Sequence, residues 1–311
     1  MPYAVGGNSR IRTNTPAENA YNSLESSNRN ISLRQLRLST GKRINNAADD
    51  VAGYITSKAL IARNGSLKAA QKAVGDAQNI SNIVMDSLDN VSSLLTQIKE
   101  STSTAASGAM GTDEKVALAK AAYRMVQQIQ TVVDSTVFGG RQLIDGSFSA
   151  DFVIATNAVH NLITLSIDLT TGNPDYNVSS NDFNINSMSV ASFAGITNLD
   201  LRDLNNVSAG NLGIFASDRI HLTLVSLADA IDNVNKTATY VGGIVNRLTS
   251  QEDALKSQIT NYNSAISRIE DTDVALEQLE LVKAQFLQSA SLSSLTQANA
   301  NPQQFLQLIK S

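Results

Sequence analysis

Side chains suited to catalysis or metal binding are few in this chain and widely scattered. The two histidines, His160 and His221, lie far apart in sequence, and neither is joined by a second histidine at metal-ligand spacing. Cysteine is absent, which excludes a disulfide framework, a thiolate metal site and a cysteine nucleophile. No H-E-x-x-H, G-x-S-x-G, phosphate-loop or calcium-loop pattern occurs. The chain therefore reads as a non-enzyme with no catalytic, cofactor or metal residues. Asn-x-Ser triplets such as Asn177-Val178-Ser179 and Asn206-Val207-Ser208 are what chance supplies in a sequence this rich in Asn and Ser. What remains is charge. Residues 1–45 hold Arg10, Arg12, Arg29, Arg34, Arg37, Lys42 and Arg43 against Glu18 and Glu25, a formal +5, and the rest of the chain carries −9. That basic front is either a solvated helix face or a surface that docks on acidic neighbours in other copies. The overall charge of −4 argues against nucleic acid as a partner.

The elements that carry these charges are long helices. No proline occurs between Pro16 and Pro174. Ile80, Val84, Leu88, Val91, Leu95 and Ile98 step by three and four and form one apolar seam. Leu118, Ala122, Met125, Ile129, Val132 and Thr136 form a second. Gly108 and Gly111 break the pattern between them, with Thr112 or Asp113 as the cap of the next helix. In the tail, Ile231, Val234, Ala238, Val241, Val245 and Leu248, then Leu255, Ile259, Tyr262, Ile266 and Ile269, keep one phase. With no glycine after Gly243, residues 244–301 read as one helix of roughly 87 Å at about 1.5 Å per residue. Such helices bury little surface alone and must pair. Aromatic residues make up 5 % of the chain and Trp is absent, so alanine and short aliphatics do the packing.

Between these ends the material changes. Residues 137–148 carry two glycine-bearing turns, and Phe152-Val153-Ile154 and 162–169 alternate as strands. Residues 170–213 are rich in Asn, Ser, Asp and Gly, and helical pattern returns near Asp218. The predicted fold is mainly α: a long antiparallel helical hairpin or coiled-coil bundle formed by both chain ends, with a small β-rich tip in the middle of the sequence. The expected divisions are 1–45 with 268–311 as an inner helical layer, 46–137 with 220–267 as a middle bundle, and 138–219 as its β-rich outer part. Met1 to Thr15 has arginines without an apolar core of a secretory signal, and no run of about 18 apolar residues predicts membrane insertion. The chain is expected to be cytosolic or exported by a route that reads no such peptide.

Leu36-Arg37-Leu38-Ser39-Thr40-Gly41-Lys42-Arg43-Ile44-Asn45, with Ala47, Asp49, Asp50, Ala52 and Gly53, is similar to the R-L-S-S-G-x-R-I-N-x-A-x-D-D-x-A-G of bacterial flagellin, the subunit of the flagellar filament. The run from Phe138 to Gly146 resembles F-N-G-x-x-L-L-D-G. Gly243-Ile244-Val245-Asn246-Arg247-Leu248 resembles G-A-x-x-N-R-L, and Ser267-Arg268-Ile269-Glu270-Asp271-Thr272-Asp273 resembles S-R-I-E-D-x-D. The last match is Ala284-Gln285, Leu287-Gln288, Gln297-Ala298-Asn299 and Pro302 through Lys310. Each is weak alone; five in one order with a long central gap are specific. The start departs, with Glu18 where the family commonly has leucine, and the short centre resembles a flagellin with inner and middle layers and little outer decoration.

The resemblance implies that Leu36, Leu38, Arg43, Ile44, Asp49, Asp50, Gly53, Asn246, Arg247, Leu248, Arg268, Ile269, Glu270, Asp271, Gln285, Leu287, Gln297 and Asn299 serve subunit packing. For Arg247 and Arg268 the simpler alternative is an ion pair inside the same subunit. Gly41 and Gly53 read as backbone devices at a kink, and Asp49-Asp50 as caps. The resemblance further implies an extracellular filament protein, exported by the flagellum's type III channel and met by an export chaperone, hook-associated proteins and a filament cap. Phe286, Leu287, Leu295, Phe305, Leu306 and Ile309 are expected to line one face of the chaperone-bound helix. Residues 12–45 and 270–310 are expected to become ordered on assembly. Detected flagellins carry L-Q-R-V-R-E-L for the innate receptor. Leu95-Thr96-Gln97-Ile98-Lys99-Glu100-Ser101 here lacks the first arginine and the last leucine, so weak or no activation is expected. A hook–filament junction protein, a secreted coiled-coil adhesin or effector, and an enzyme are the rival readings.

Overall fold

The computed structural model describes residues 13–156, 162–170, 173–176, 178, 182–185 and 192–310, with 156, 192 and 303–310 described by backbone alone. Five helices carry the fold: α1 Thr15–Thr40, α2 Val51–Ala105, α3 Thr112–Ser135, α4 Ile220–Glu270 and α5 Val274–Lys310. Between α3 and α4, three two-stranded antiparallel sheets lie among the described residues: β1 Val137–Phe138 with β2 Arg141–Gln142, β3 Ser149–Thr156 with β4 Leu162–Asp168, and β5 Ser192–Phe193 with β6 Ile196–Thr197. The fold is thus mainly helical with a small β-rich middle, as the periodicities predict. His160, Asn177, Ser179 and the first twelve residues lie outside the described residues. No described helix is long and apolar enough to cross a membrane.

The chain divides into two compact units, Met1–Asn64 with Thr260–Ser311 and Gly65–Ile259. The second unit, taken by itself, is built on the α2 seam. Ile80, Val84, Leu88, Val91, Leu95 and Ile98 are all buried, and Leu67, Ala70, Val74 and Ala77 extend the stripe toward the N-terminus. On α3 the buried positions are Ala119, Ala122, Val126, Ile129 and Val133. Leu118, Met125 and Val132, expected in that seam, are only half-buried. The helix turns this broader face inward because the 3₁₀ turn at Leu201–Asn206 also packs on it. The α4 stripe is Leu227, Ala230, Val234, Thr237, Val241, Ile244 and Leu248, so Ile231, Ala238 and Val245 flank the seam instead of centring it.

Helix amides hold the β-rich segment to this bundle. Gln251 Nε2 donates to Ile154 O at 3.1 Å, at the register shift between Val153 and Ala155 that frees this carbonyl from the β3–β4 ladder. Asn233 Nδ2 donates to Ala194 O, and Ile185 N donates to Gln130 Oε1 at 2.7 Å. Phe183, Phe193 and Phe215 are fully buried beneath these contacts.

Two sequence expectations are corrected. The α3 cap is neither Thr112 nor Asp113: Thr112 opens the helix, and the Glu114 carboxylate reaches back to accept from Gly111 N at 3.0 Å. The tail is not one helix from 244 to 301. It stops at Glu270 and restarts at Val274, where Asp273 Oδ1 accepts from the Ala275 and Leu276 amides. The helix before the break absorbs Gly242 and Gly243, and the one after it absorbs Pro302.

Candidate functional site

In the first unit α1 and α5 lie antiparallel. Asn14 meets Ala298, Asn28 meets Gln288, and Arg34 and Arg37 meet Glu277. The seam between them is thin: Ala20 and Ser27 on one side, Leu281, Ala284 and Ala298 on the other. Alanine and serine give close approach but little buried apolar area, so the pair depends on polar contacts at its end.

Those contacts gather into a clasp. α1 ends on Gly41 at φ +68°, the left-handed position that favours glycine. The chain then runs beside the α4–α5 break. Arg43 N donates to Glu270 O at 2.6 Å and Thr272 N to Gly41 O at 3.0 Å, flanking an antiparallel bridge of Lys42 with Asp271. Lys42 Nζ lies 2.7 Å from Glu270, and Arg43 Nη2 donates to Ile269 O. Arg34 Nη1 and Arg37 Nη1 reach the two Glu277 oxygens at 2.8 and 3.2 Å. Among the described residues, Glu270 and Glu277 are the only buried charged side chains. The Lys42 hydrogen bond holds the Glu270 carboxyl below the ordinary range against the opposing pull of burial. Burial pushes Glu277 upward, but the hydrogen bonds and charges of Arg34 and Arg37 outweigh it and leave the carboxyl lowered.

The loop into α2 is locked locally. Asp49 Oδ2 accepts from the Asn45 and Asn46 amides, both at 2.9 Å, and these bonds lower its pKa. Asp50 Oδ1 accepts from Gly53 N and caps α2. A Cβ on Gly53 would lie 2.5 Å from Asp50 Oδ2 and 2.6 Å from Ile44 Cδ1, so close packing rather than backbone angle demands this glycine.

Set against this clasp is an uncovered apolar face. At 100° per residue, Leu279, Val282 and Phe286 stand on the side of α5 opposite Leu281 and Ala284. All three are exposed, Phe286 at 74 %. Val274, Leu276, Leu287 and Leu292 on α5, Tyr21 and Leu36 on α1, and Val51 and Ile55 on α2 are exposed as well.

The expected packing residues separate into three groups. Arg43, Ile44, Asp49, Asp50, Gly53, Ile269, Glu270 and Asp271 meet in or beside the clasp, with Ile44 buried. Leu36, Leu38, Arg268, Gln285, Leu287, Gln297 and Asn299 are exposed or half-buried in the first unit. Asn246, Arg247 and Leu248 belong to the second unit. There Leu248 is core, and exposed Arg247 borders a shallow groove with Tyr176 and Tyr240. Among the described residues neither Arg247 nor Arg268 makes an ion pair, contrary to the simpler reading of both. The expectation that Phe286 and Leu295 share one face is corrected. They are nine residues apart, half a turn out of phase, and Leu295 is half-buried on the α1 side. For Phe305, Leu306 and Ile309 the helical backbone alone is described. Sequence reading missed Glu277 and its partners Arg34 and Arg37. The i, i+3 spacing of the two arginines was the available signal.

Residues 11–149 match the family model of the bacterial flagellin N-terminal helical region, and residues 224–309 match that of the C-terminal helical region. The chain is 26 % identical over 314 residues to a flagellin of Bacillus subtilis (strain 168), covering 97 % of this chain and 100 % of that protein. It is 24 % identical to the flagellar filament 30.7 kDa core protein of Treponema maltophilum, covering 88 % and 90 %. A solved structure described as a flagellar hook-associated protein from Vibrio parahaemolyticus is similar in fold. Its TM-score is 0.56 at 14 % identity, over 72 % of this chain and 100 % of that one.

Proposed function

This chain belongs to the bacterial flagellin family, and from the open face of α5 we infer that it is a filament subunit that polymerises through its terminal helices. The observation that carries the reading is Leu279, Val282 and Phe286 standing in solvent opposite the face that α1 covers. A helix with apolar residues on both sides needs a second partner. A contact between unlike surfaces of identical copies builds an open helical polymer when its rotation does not close a ring. Residues 1–45 with 268–311 then form the inner layer, 46–137 with 220–267 the middle layer, and 138–219 the outer part of that layer.

Export precedes assembly in this reading. The chain leaves unfolded through the flagellum's type III channel, with its C-terminal helix on an export chaperone. It meets hook-associated and cap proteins at the filament and functions outside the cell. The chaperone surface is better drawn through Leu287, Leu295 and the tail residues Phe305, Leu306 and Ile309, without Phe286, which lies on the other side. Innate-receptor activation is weak: Leu95 and Ile98 are core residues, leaving Thr96, Gln97 and Glu100 as the exposed side chains of that turn.

Negative-stain microscopy of purified protein after salting out tests the reading. Long uniform filaments are expected; a small defined oligomer in their place would mean a junction protein or a free adhesin. Amide exchange on the dilute monomer tests ordering on assembly, since strong protection of both ends there would contradict it.

A further inference from the structure

Pro302 lies inside α5, where its ring nitrogen carries no hydrogen. In an uninterrupted helix the N–H of residue 302 would bond the carbonyl of Ala298, four residues earlier. That carbonyl is therefore released from the helical ladder, in a residue that is 8 % exposed, and needs a donor from outside α5. The donor that replaces it comes from the other end of the chain: Asn14 Nδ2 donates to Ala298 O at 2.8 Å. The same side chain uses its oxygen to accept from Ala17 N at 3.2 Å and so caps α1.

We propose that Asn14, Ala298 and Pro302 form a latch that fixes the start of α1 on α5. Each part is needed for a separate reason. The proline frees an interior carbonyl, and the alanine keeps the approach close. The asparagine has both a donor and an acceptor on one short side chain, so it can grip α5 while capping α1. Other interior carbonyls of a helix already accept from their own i+4 amides and keep one lone pair, so Ala298 O, with no helical donor, is the strongest acceptor and marks one position along α5. The clasp at Arg34–Arg43 fixes the opposite end of α1, and the thin seam of Ala20 and Ser27 between the two anchors adds little selectivity. The latch is a property of the α1–α5 pair and does not depend on the assembly reading.

Asn14→Asp separates the two functions of the side chain. Aspartate caps a helix as well as asparagine does and suits the helix dipole, but it cannot donate to a carbonyl. Pro302→Ala restores the missing N–H and returns Ala298 O to α5. Hydrogen exchange is measured on the full chain, as polymer and as monomer in the same buffer, for wild type, both variants and the double variant. Each single change is expected to speed exchange at the α1 start by about fivefold to tenfold, the loss of one hydrogen bond. The double variant is expected to be no worse than either, because both remove one contact. Pro302→Ala should meanwhile slow exchange within α5, giving opposite signs on the two helices. Measured in the polymer, where the ends are ordered, unchanged exchange in Asn14→Asp, additive effects in the double variant, or equal exchange in all four chains would overturn the latch. Failure of the wild type to polymerise would count against the assembly reading alone, and the monomer comparison would still decide this one.

Discussion

The two compact units solve the burial problem in opposite ways. The second, Gly65–Ile259, builds a large apolar core in which Leu88, Leu95, Ile98, Phe183 and Phe215 are fully buried, although Leu162 and Leu222 stay exposed; among the described residues its buried polar groups are hydroxyls and amides. The first, Met1–Asn64 with Thr260–Ser311, buries two carboxylates and leaves Leu279, Val282 and Phe286 in water. A unit of the second kind has a complete core. One of the first kind has spent its ordered contacts on fixing how its helices meet, and its apolar surface stays available for something else.

The sharpest way to break that contrast is to make the open face polar. Leu279→Ser with Phe286→Ser is expected to raise the lowest polymerising concentration by about three orders of magnitude, at about 2 kcal/mol for each lost hot spot. The urea midpoint of the second unit should not move; filaments at the wild-type concentration would erase the distinction. Leu88→Ala does the reverse. It should destabilise the second unit by about 3 kcal/mol in urea unfolding and leave exchange at Arg34–Arg43 unchanged.

The clasp is next in size. Glu277→Gln removes the charge that two arginines share and should weaken the α1–α5 pair by about 2 kcal/mol, seen as faster exchange at 272–277. Acid should do part of the same. Glu270 and Glu277 have folded-state pKa values below their unfolded ones, near 4.3. Their contribution is complete above about pH 4.3 and is lost as pH falls through the lower folded values. The first unit should loosen in that window before the second melts, and Glu277→Gln should flatten the dependence. The smallest effect belongs to Gly41→Ala. Open space surrounds the added methyl, so the cost is that of the left-handed backbone, about 1 kcal/mol in a melt of the full chain.

The seam from Ile80 to Ile98 was legible because six apolar residues at three-and-four spacing on one long helix have no other use. The α3 phase was less so, since a helix with two neighbours buries a broader face than one stripe suggests. The break at Asp271-Thr272-Asp273 was hidden for a different reason: it contains no glycine or proline. Pairing with Gly41–Arg43, distant in sequence, stabilises it along with the Asp273 cap. Glu277 was hidden likewise, because an acid on a helix reads as solvated until its partners are in place. The open face was overlooked on α5 because attention to one apolar stripe conceals a second on the opposite side.

The clasp also has a mechanical meaning. Its backbone bonds, Gly41 to Thr272 and Arg43 to Glu270, lie side by side along two antiparallel strips of chain. A pull along the strips loads both bonds and the Lys42–Glu270 pair at once, whereas a pull across one end opens them in turn. The joint is therefore stiff against sliding and weak against peeling, and the direction of a force, more than its size, decides whether the terminal helices stay joined.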